Sequence, residues 1–384
     1  MLHLPNPLQC LNGKLVTSPG DWPARRREIL NQFEEIMYGR MPESDAGMTV
    51  KILESTDTQI DGTPAVRKQL QLIFGDDHPV IEVLIYLPKN NRPVGVFVGL
   101  NFHGNHTTTT DPGVRLRQSD DRIARLCNIE RKFPTDADRG SAARRWPFAQ
   151  ILRAGFGVAT AWCDDIDPDD AAGRPAGVQK LFEGEGYTWA TIAAWAWGLR
   201  RILDALLQDP AIDPNKIAVI GHSRLGKAAL WAAAVDERFS IAISNDSGCC
   251  GAALKRRKQG ERYKDITERF PHWFVPQLTQ YNDHEEECPI DQHLLLATIA
   301  PRPLYVASAT DDAWADPLGE YLGAYHAGEV YRLLGKTPLR SSEPPAADTS
   351  VGADVAYHAR TGKHDILAED WKRYIEFAGR HWNS

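Results

Sequence analysis

The stretch IAVIGHSRLGKAALWAAA, residues 217–234, decides the fold. A short apolar, β-branched run breaks at Gly221-His222-Ser223-Arg224-Leu225-Gly226, and an alanine-rich run with helical character follows. A strand feeding straight into a helix through G-x-S-x-G is the pattern of a nucleophile elbow. The serine occupies a strained turn, and the flanking glycines let strand and helix approach closely enough to expose its hydroxyl above the sheet. The helix N-terminus then aims amide groups and the positive end of its dipole at a developing oxyanion. Ser223 is therefore the candidate nucleophile.

Working outward, continuous apolar runs alternate with helical ones from residue 94 onward. Strands are predicted at 94–102, 155–163, 216–222, 240–246 and 303–309, with an amphipathic helix at 189–207 and another at 226–236. Such runs are the mark of a parallel sheet covered by helices on both faces. Upstream, residues 20–40 read as a helix with Asp21 as cap, Pro23 in the first turn and Gly39 at the stop. Residues 68–74 alternate like a half-exposed strand, and 80–87 read as the next one. With no break in composition, the expectation is one α/β domain over 1–384, in which 1–90 are N-terminal helix and strand decoration.

An elbow serine calls for an acid and a histidine later in the chain, in the order Ser, Asp/Glu, His. His364, in Arg-Thr-Gly-Lys-His-Asp, follows the strand-like VAYHAR (355–360) and precedes the final helical segment, so it is the candidate general base. His358, inside that strand, reads as a packed residue; His103, His106 and His222 precede or adjoin the serine and fail the order test. For the acid, Asp312 follows the strand at 303–309, where this topology places the carboxylate; Asp311 and Asp316 are its nearest rivals. Asp246 follows the preceding strand and is the alternate or partner. A carboxylate is needed because it holds the imidazole in its working tautomer and offsets the imidazolium charge.

The bulk numbers are those of a globular protein: 384 residues, 42% hydrophobic, 25% charged. A net charge of -7 and a pI near 6.0 argue against a nucleic-acid partner. The one basic run, Lys255-Arg256-Arg257-Lys258, reads as a solvated face, and so do His284 to Glu287, which with His293 lack the spacing of a metal-binding HExxH helix. The six cysteines form no CxxC pair. No apolar run reaches the ~20 residues of a membrane span. The N-terminal MLHLPNPLQC has no basic and apolar leader pattern, so no signal peptide is visible.

Taken together, several motifs resemble the glucuronoyl esterases of carbohydrate esterase family 15, especially their bacterial branch. They are GLNFHGNHT (99–107), WATIAAWAWGLRRILDAL (189–206), GHSRLGK (221–227), NDSGCCGAAL (245–254), FPHWF (270–274), DDAWADPLGEYL (311–322) and GKHD (362–365). The resemblance implies an α/β-hydrolase fold and cleavage of esters between (4-O-methyl-)glucuronic acid on xylan and lignin alcohols, with no cofactor or metal. It implies Ser223 as nucleophile, His364 as base, and Arg224 as the residue that stabilises the oxyanion. It implies Lys227, Glu261 and Trp314 as sugar-binding residues. Asp246 matches the acid of fungal members, which is a glutamate there, and Asp312 the acid of many bacterial ones. The pair Cys249-Cys250 stands where the family has cysteine and glycine. The resemblance also implies a monomer acting on a small-molecule or polysaccharide substrate, in a secreted or periplasmic location, although the visible N-terminus leaves the cytoplasm open. The rival expectation is a deacetylase of the acetyl-xylan or cephalosporin-deacetylating type. A small acetyl pocket has little use for Arg224, Lys227, Glu261 and Trp314 together.

Overall fold

The computed structural model describes residues 2–75, 79–116 and 134–383, apart from the side chains of 173–175; Cys127 lies outside them. Contacts group the chain into two units.

One unit comprises Met41–Tyr187, Ala194–Ala218 and Ile366–Ser384. Strands β1 (Thr49–Ile60), β2 (Thr63–Ile73) and β3 (Val80–Pro88) form an antiparallel meander. Beyond it, β4 (Val94–Asn101) and β5 (Gly157–Trp162) pair in parallel, and β5 also pairs antiparallel with β3. With β6 (Ile212–His222), the order is β1-β2-β3-β5-β4-β6. β1 is an unpredicted strand. Its segment, TVKILESTDTQI, is polar at nearly every second position and stays half exposed at the sheet edge, so it lacks the apolar run that marks the central strands. The predicted C-terminal helix forms as Ala368–Trp382, with Trp371 and Trp382 packed on Phe97 of β4 at ring separations of 5.6 and 5.5 Å.

The other unit comprises Met1–Arg40, Thr188–Ala193 and Val219–Asp365. Here the end of β6 is followed by β7 (Ile241–Asn245), β8 (Leu304–Ala309), β9 (Val351–Gly352) and β10 (Val355–Arg360), in the order β6-β7-β8-β10-β9. β7 with β8 and β8 with β10 are parallel, and β9 is an antiparallel edge. Every residue of β7 and β8 is buried, which is why those segments read as unbroken apolar runs. β6 begins four residues before its predicted start, at Ile212, because Asp213-Pro214-Asn215 has the chemistry of a turn yet continues the strand.

The N-terminal helix runs Trp22–Phe33 and continues as one π-turn, Glu34–Tyr38, ending at Gly39 with φ 80°. Pro23 sits in the first turn as expected. Asp21 does not cap: its carboxylate is taken by Lys14 Nζ (2.9 Å) and Ser18 Oγ (2.7 Å). The helix ends on the core of this unit, where Tyr38 stacks on Trp231 at 4.5 Å and donates its hydroxyl to the Cys250 carbonyl at 2.8 Å. The helix predicted at 189–207 forms as Thr191–Leu206, but it is buried all round through Leu203 rather than along one stripe.

The helix that follows Ser223, Arg224–Val235, packs against β7. At its far end, Arg302 donates to the carbonyls of Ala233 (2.6 Å), Asp236 (3.1 Å) and Phe239 (2.9 Å). Arg26 donates to the Ala234 carbonyl at 2.6 Å. Two guanidinium groups thus satisfy carbonyls that a helix C-terminus leaves open. Burial lowers the Arg302 pKa to about 10, where the group is still a cation at neutral pH.

Candidate active site

Ser223 has φ 57° and ψ -131°, a conformation that strains a non-glycine residue by about 1–3 kcal/mol. Its neighbours hold it there. The Ser223 N–H donates to the Asn245 carbonyl at the end of β7 (2.9 Å), and its carbonyl accepts the Gly226 N–H (2.9 Å), closing the first turn of the helix. A Cβ on Gly221 would fall 2.0 Å from the Leu225 carbonyl oxygen, and one on Gly226 would fall 3.0 Å from the Gly221 oxygen. The glycines of G-x-S-x-G are therefore required by close approach of backbone to backbone, as the sequence pattern predicts.

His364 lies after β10, its side chain 41% exposed, with Nδ1 at 2.5 Å from Asp312 Oδ2. Asp312 itself is buried; its Oδ1 accepts the Ala315 N–H at 3.2 Å, fixing the carboxylate in a turn. His222, which the order test sets aside, puts its ring 4.6 Å from that of His364, and its Nδ1 lies 2.6 Å from Asn245 Oδ1. The residue preceding the serine thus flanks the imidazole, a role visible only in three dimensions.

Asp246 is 1% exposed, with φ 46° and its N–H on the Ala307 carbonyl (2.8 Å). Its Oδ2 is 4.0 Å from His222 Nδ1, and one carboxylate oxygen each of Asp246 and Asp312 and a His364 ring nitrogen lie within 4.8 Å of one another. Both predicted acids therefore converge on one imidazole, with Asp312 in hydrogen-bond contact. Of the nearest rivals, Asp316 caps the helix Pro317–Leu333 through the Gly319 N–H and pairs with Arg257 at 2.9 Å; Asp311 takes the Thr310 hydroxyl at 3.0 Å. His358 is packed as expected, its Nδ1 3.0 Å from the Tyr305 hydroxyl.

Four further residues complete the predicted set. Arg224 lies over the Trp273 ring at 5.9 Å, and Trp273 stacks on Phe270 at 3.8 Å, so FPHWF supplies an aromatic wall for the arginine that sequence reasoning did not single out. Lys227 is buried and donates Nζ to the Ser247 carbonyl at 2.6 Å. Glu261 is buried, its N–H on the Trp314 carbonyl at 2.8 Å, while Trp314 is 48% exposed with Arg269 5.8 Å over its ring. Behind this set, Glu320 is fully buried on the helix Pro317–Leu333 and bonded to Gly248, Ser247 and Ser308. It lies inside DDAWADPLGEYL, yet nothing local in that segment announces its partners.

Two expectations are corrected. The basic run 255–258 is not a solvated face: Lys255 is buried and donates to the Glu261 carbonyl (2.9 Å), Arg257 pairs with Asp316, and Lys258 reaches Glu286 at 2.6 Å. The acidic segment is corrected only in part: His284, Glu286 and Glu287 are exposed as expected, whereas Glu285 is buried, paired with Arg262 at 2.6 Å, and His293 is buried with Nε2 at 2.8 Å from the Pro5 carbonyl oxygen. The vicinal thiols Cys249 and Cys250 are buried and unbridged, their sulfurs 3.7 Å apart. Among the described residues no helix is long and apolar enough to cross a membrane.

A glucuronoyl esterase from Solibacter usitatus superposes with a TM-score of 0.93 at 41% identity, covering 100% of this chain and 98% of that one. The chain belongs to carbohydrate esterase family 15. A promiscuous family 15 esterase from a marine bacterial metagenome superposes with a TM-score of 0.89 at 44% identity, covering 99% of this chain and 97% of that one. The 4-O-methyl-glucuronoyl methylesterase 1 of Phanerochaete chrysosporium is 34% identical over 95% of this chain and 67% of its own length. The family described as "Glucuronyl esterase, fungi" matches residues 155–335, the segment that carries β5 to the helix Pro317–Leu333. The family 15 fold is that of an α/β-hydrolase, and the chain is an enzyme of the hydrolase class.

Proposed function

We propose that this family 15 member hydrolyses esters that join glucuronic acid, or its 4-O-methyl form, on glucuronoxylan to lignin alcohols. The observation that carries the reading is the 2.5 Å contact of Asp312 Oδ2 with His364 Nδ1, in a unit whose strained serine opens a helix. Ser223 attacks the uronate carbonyl while His364 takes its proton, and Asp312 holds the imidazole tautomer and offsets the imidazolium. The oxyanion faces amides of the first helical turn and Arg224. His364 then protonates the leaving alcohol, and water hydrolyses the acyl-enzyme by the reverse relay.

A uronate acyl group carries hydroxyls and a C–H face, and Lys227, Glu261 and Trp314 offer it donors, an acceptor and an exposed ring. The proposed setting is secreted or periplasmic, as the family resemblance implies, with the chain acting as a monomer. The test is kcat/KM on benzyl glucuronate, its 4-O-methyl form and p-nitrophenyl acetate, with Ser223→Ala as the blank. A preference for the glucuronates of about 100-fold, near 3 kcal/mol, is the expected outcome. A preference for acetate would move the activity to a deacetylase on the same triad.

A further inference from the structure

A carboxylate with no solvent exposure is costly unless donors surround it, and Glu320 is 0% exposed. Its Oε1 accepts the Gly248 N–H at 2.9 Å and the Ser247 hydroxyl at 3.3 Å; its Oε2 accepts the Ser308 hydroxyl at 2.6 Å. These donors come from two places. Ser247 and Gly248 follow Asp246 in the loop after β7, whereas Ser308 lies on β8, four residues before Asp312. The Ser247 oxygen atoms reach further: Oγ accepts from Ser244 (2.7 Å) and from the Ala252 N–H (3.0 Å), and the carbonyl accepts Lys227 Nζ. The loop also has positive φ at Asp246, Gly248 and Cys250, so it needs a clamp to hold its shape.

We propose that Glu320 is a positioning residue for the hydrolysis: it clamps the Ser247–Gly248 peptide to the end of β8, and so keeps Lys227 and the two aspartates aligned with His364. The inference rests on the reading of Asp312 and His364 as acid and base. Glu320 sits in the first turn of its helix, where the dipole favours a negative charge. Burial, with the Asp312 charge acting in the same direction, pushes its carboxyl up to about 7; the Ser308, Gly248 and Ser247 donors pull the other way. Other titratable or charged groups near this cluster, among the described residues, include Asp246, Tyr357 and Tyr321, Lys227 across Ser247, and His364 and His222 across the aspartates. When ionised, Glu320 adds a negative charge behind Asp312, which opposes loss of positive charge at the site and moves the acid limb of the pH profile upward.

The experiment measures kcat and kcat/KM between about pH 5 and pH 9 for wild type, Glu320→Gln and Ser308→Ala, on benzyl glucuronate and on p-nitrophenyl acetate. Glu320→Gln keeps an acceptor for Gly248 and removes the charge; its acid limb moves to lower pH by about 0.3 unit or more, with kcat retained within about tenfold. Ser308→Ala strips one donor from the carboxylate, leaves it protonated to higher pH, and moves the limb in the same direction by less. A limb that stays at the wild-type position in Glu320→Gln overturns the proposal. If that variant does not fold, an unmoved limb in Ser308→Ala does so. Because the limb is also read on the acetate ester, loss of the glucuronate preference would sink the substrate reading and leave the Glu320 outcome legible.

Discussion

Asp246 and Asp312 follow neighbouring parallel strands, β7 and β8, and both are buried, yet only one touches the imidazole. Asp246 comes one residue after its strand, in a left-handed turn, with its backbone tied to Ala307 and its Oδ2 4.0 Å from His222 Nδ1. Asp312 comes three residues after its strand, and the extra length carries its Oδ2 to within 2.5 Å of His364. A glutamate at 246 would be longer by one methylene; the aspartate ends 4.0 Å from Nδ1 of the histidine before the serine. Residue type is the same at both sites, so reach from the end of the strand decides which of them contacts His364.

Substitution separates them further. Asp312→Asn should lower kcat about 10³–10⁴-fold with little change in KM, because the imidazole loses its working tautomer; a loss under tenfold would remove Asp312 as the acid. Lys227→Ala should cost about 10–100-fold in kcat/KM on glucuronate esters and spare p-nitrophenyl acetate, since it removes one charged donor to the sugar. Equal losses on the two esters would reassign Lys227 to holding the Ser247 loop alone. The smallest effect belongs to Asp246→Asn, under about tenfold in kcat, as befits a carboxylate that acts beside the main contact. A loss matching that of Asp312→Asn would erase the distinction and make the pair one functional acid.

The parts of this molecule that were legible in advance are those in which local pattern and burial agree. β4, β5, β7 and β8 are buried along nearly their whole length, and the elbow's glycines are needed by contacts within five residues of one another. His364 and Asp312 could be placed because the chain order of an elbow hydrolase is fixed by topology. β1 escaped because an edge strand keeps its polar face, and the run at 255–258 misled because its cations find acceptors 6 to 253 residues away. His222 and Glu320 belong to a third class. Their partners come from separate elements, and no spacing within their own segments points to them.

The arginines at the far end of the Ser223 helix also shape the field at its near end. A helix left to itself acts as a dipole, with about half a unit charge of opposite sign at each end. Arg302 sits on the carbonyls of the Val235 end and offsets the negative pole, while the charge of Arg26, which reaches the Ala234 carbonyl, is met by Glu237 at 2.8 Å. What acts at Ser223 is then closer to an isolated positive monopole, whose potential falls with the first power of distance rather than the second. The attraction for negative charge near Ser223 therefore extends past the first turn.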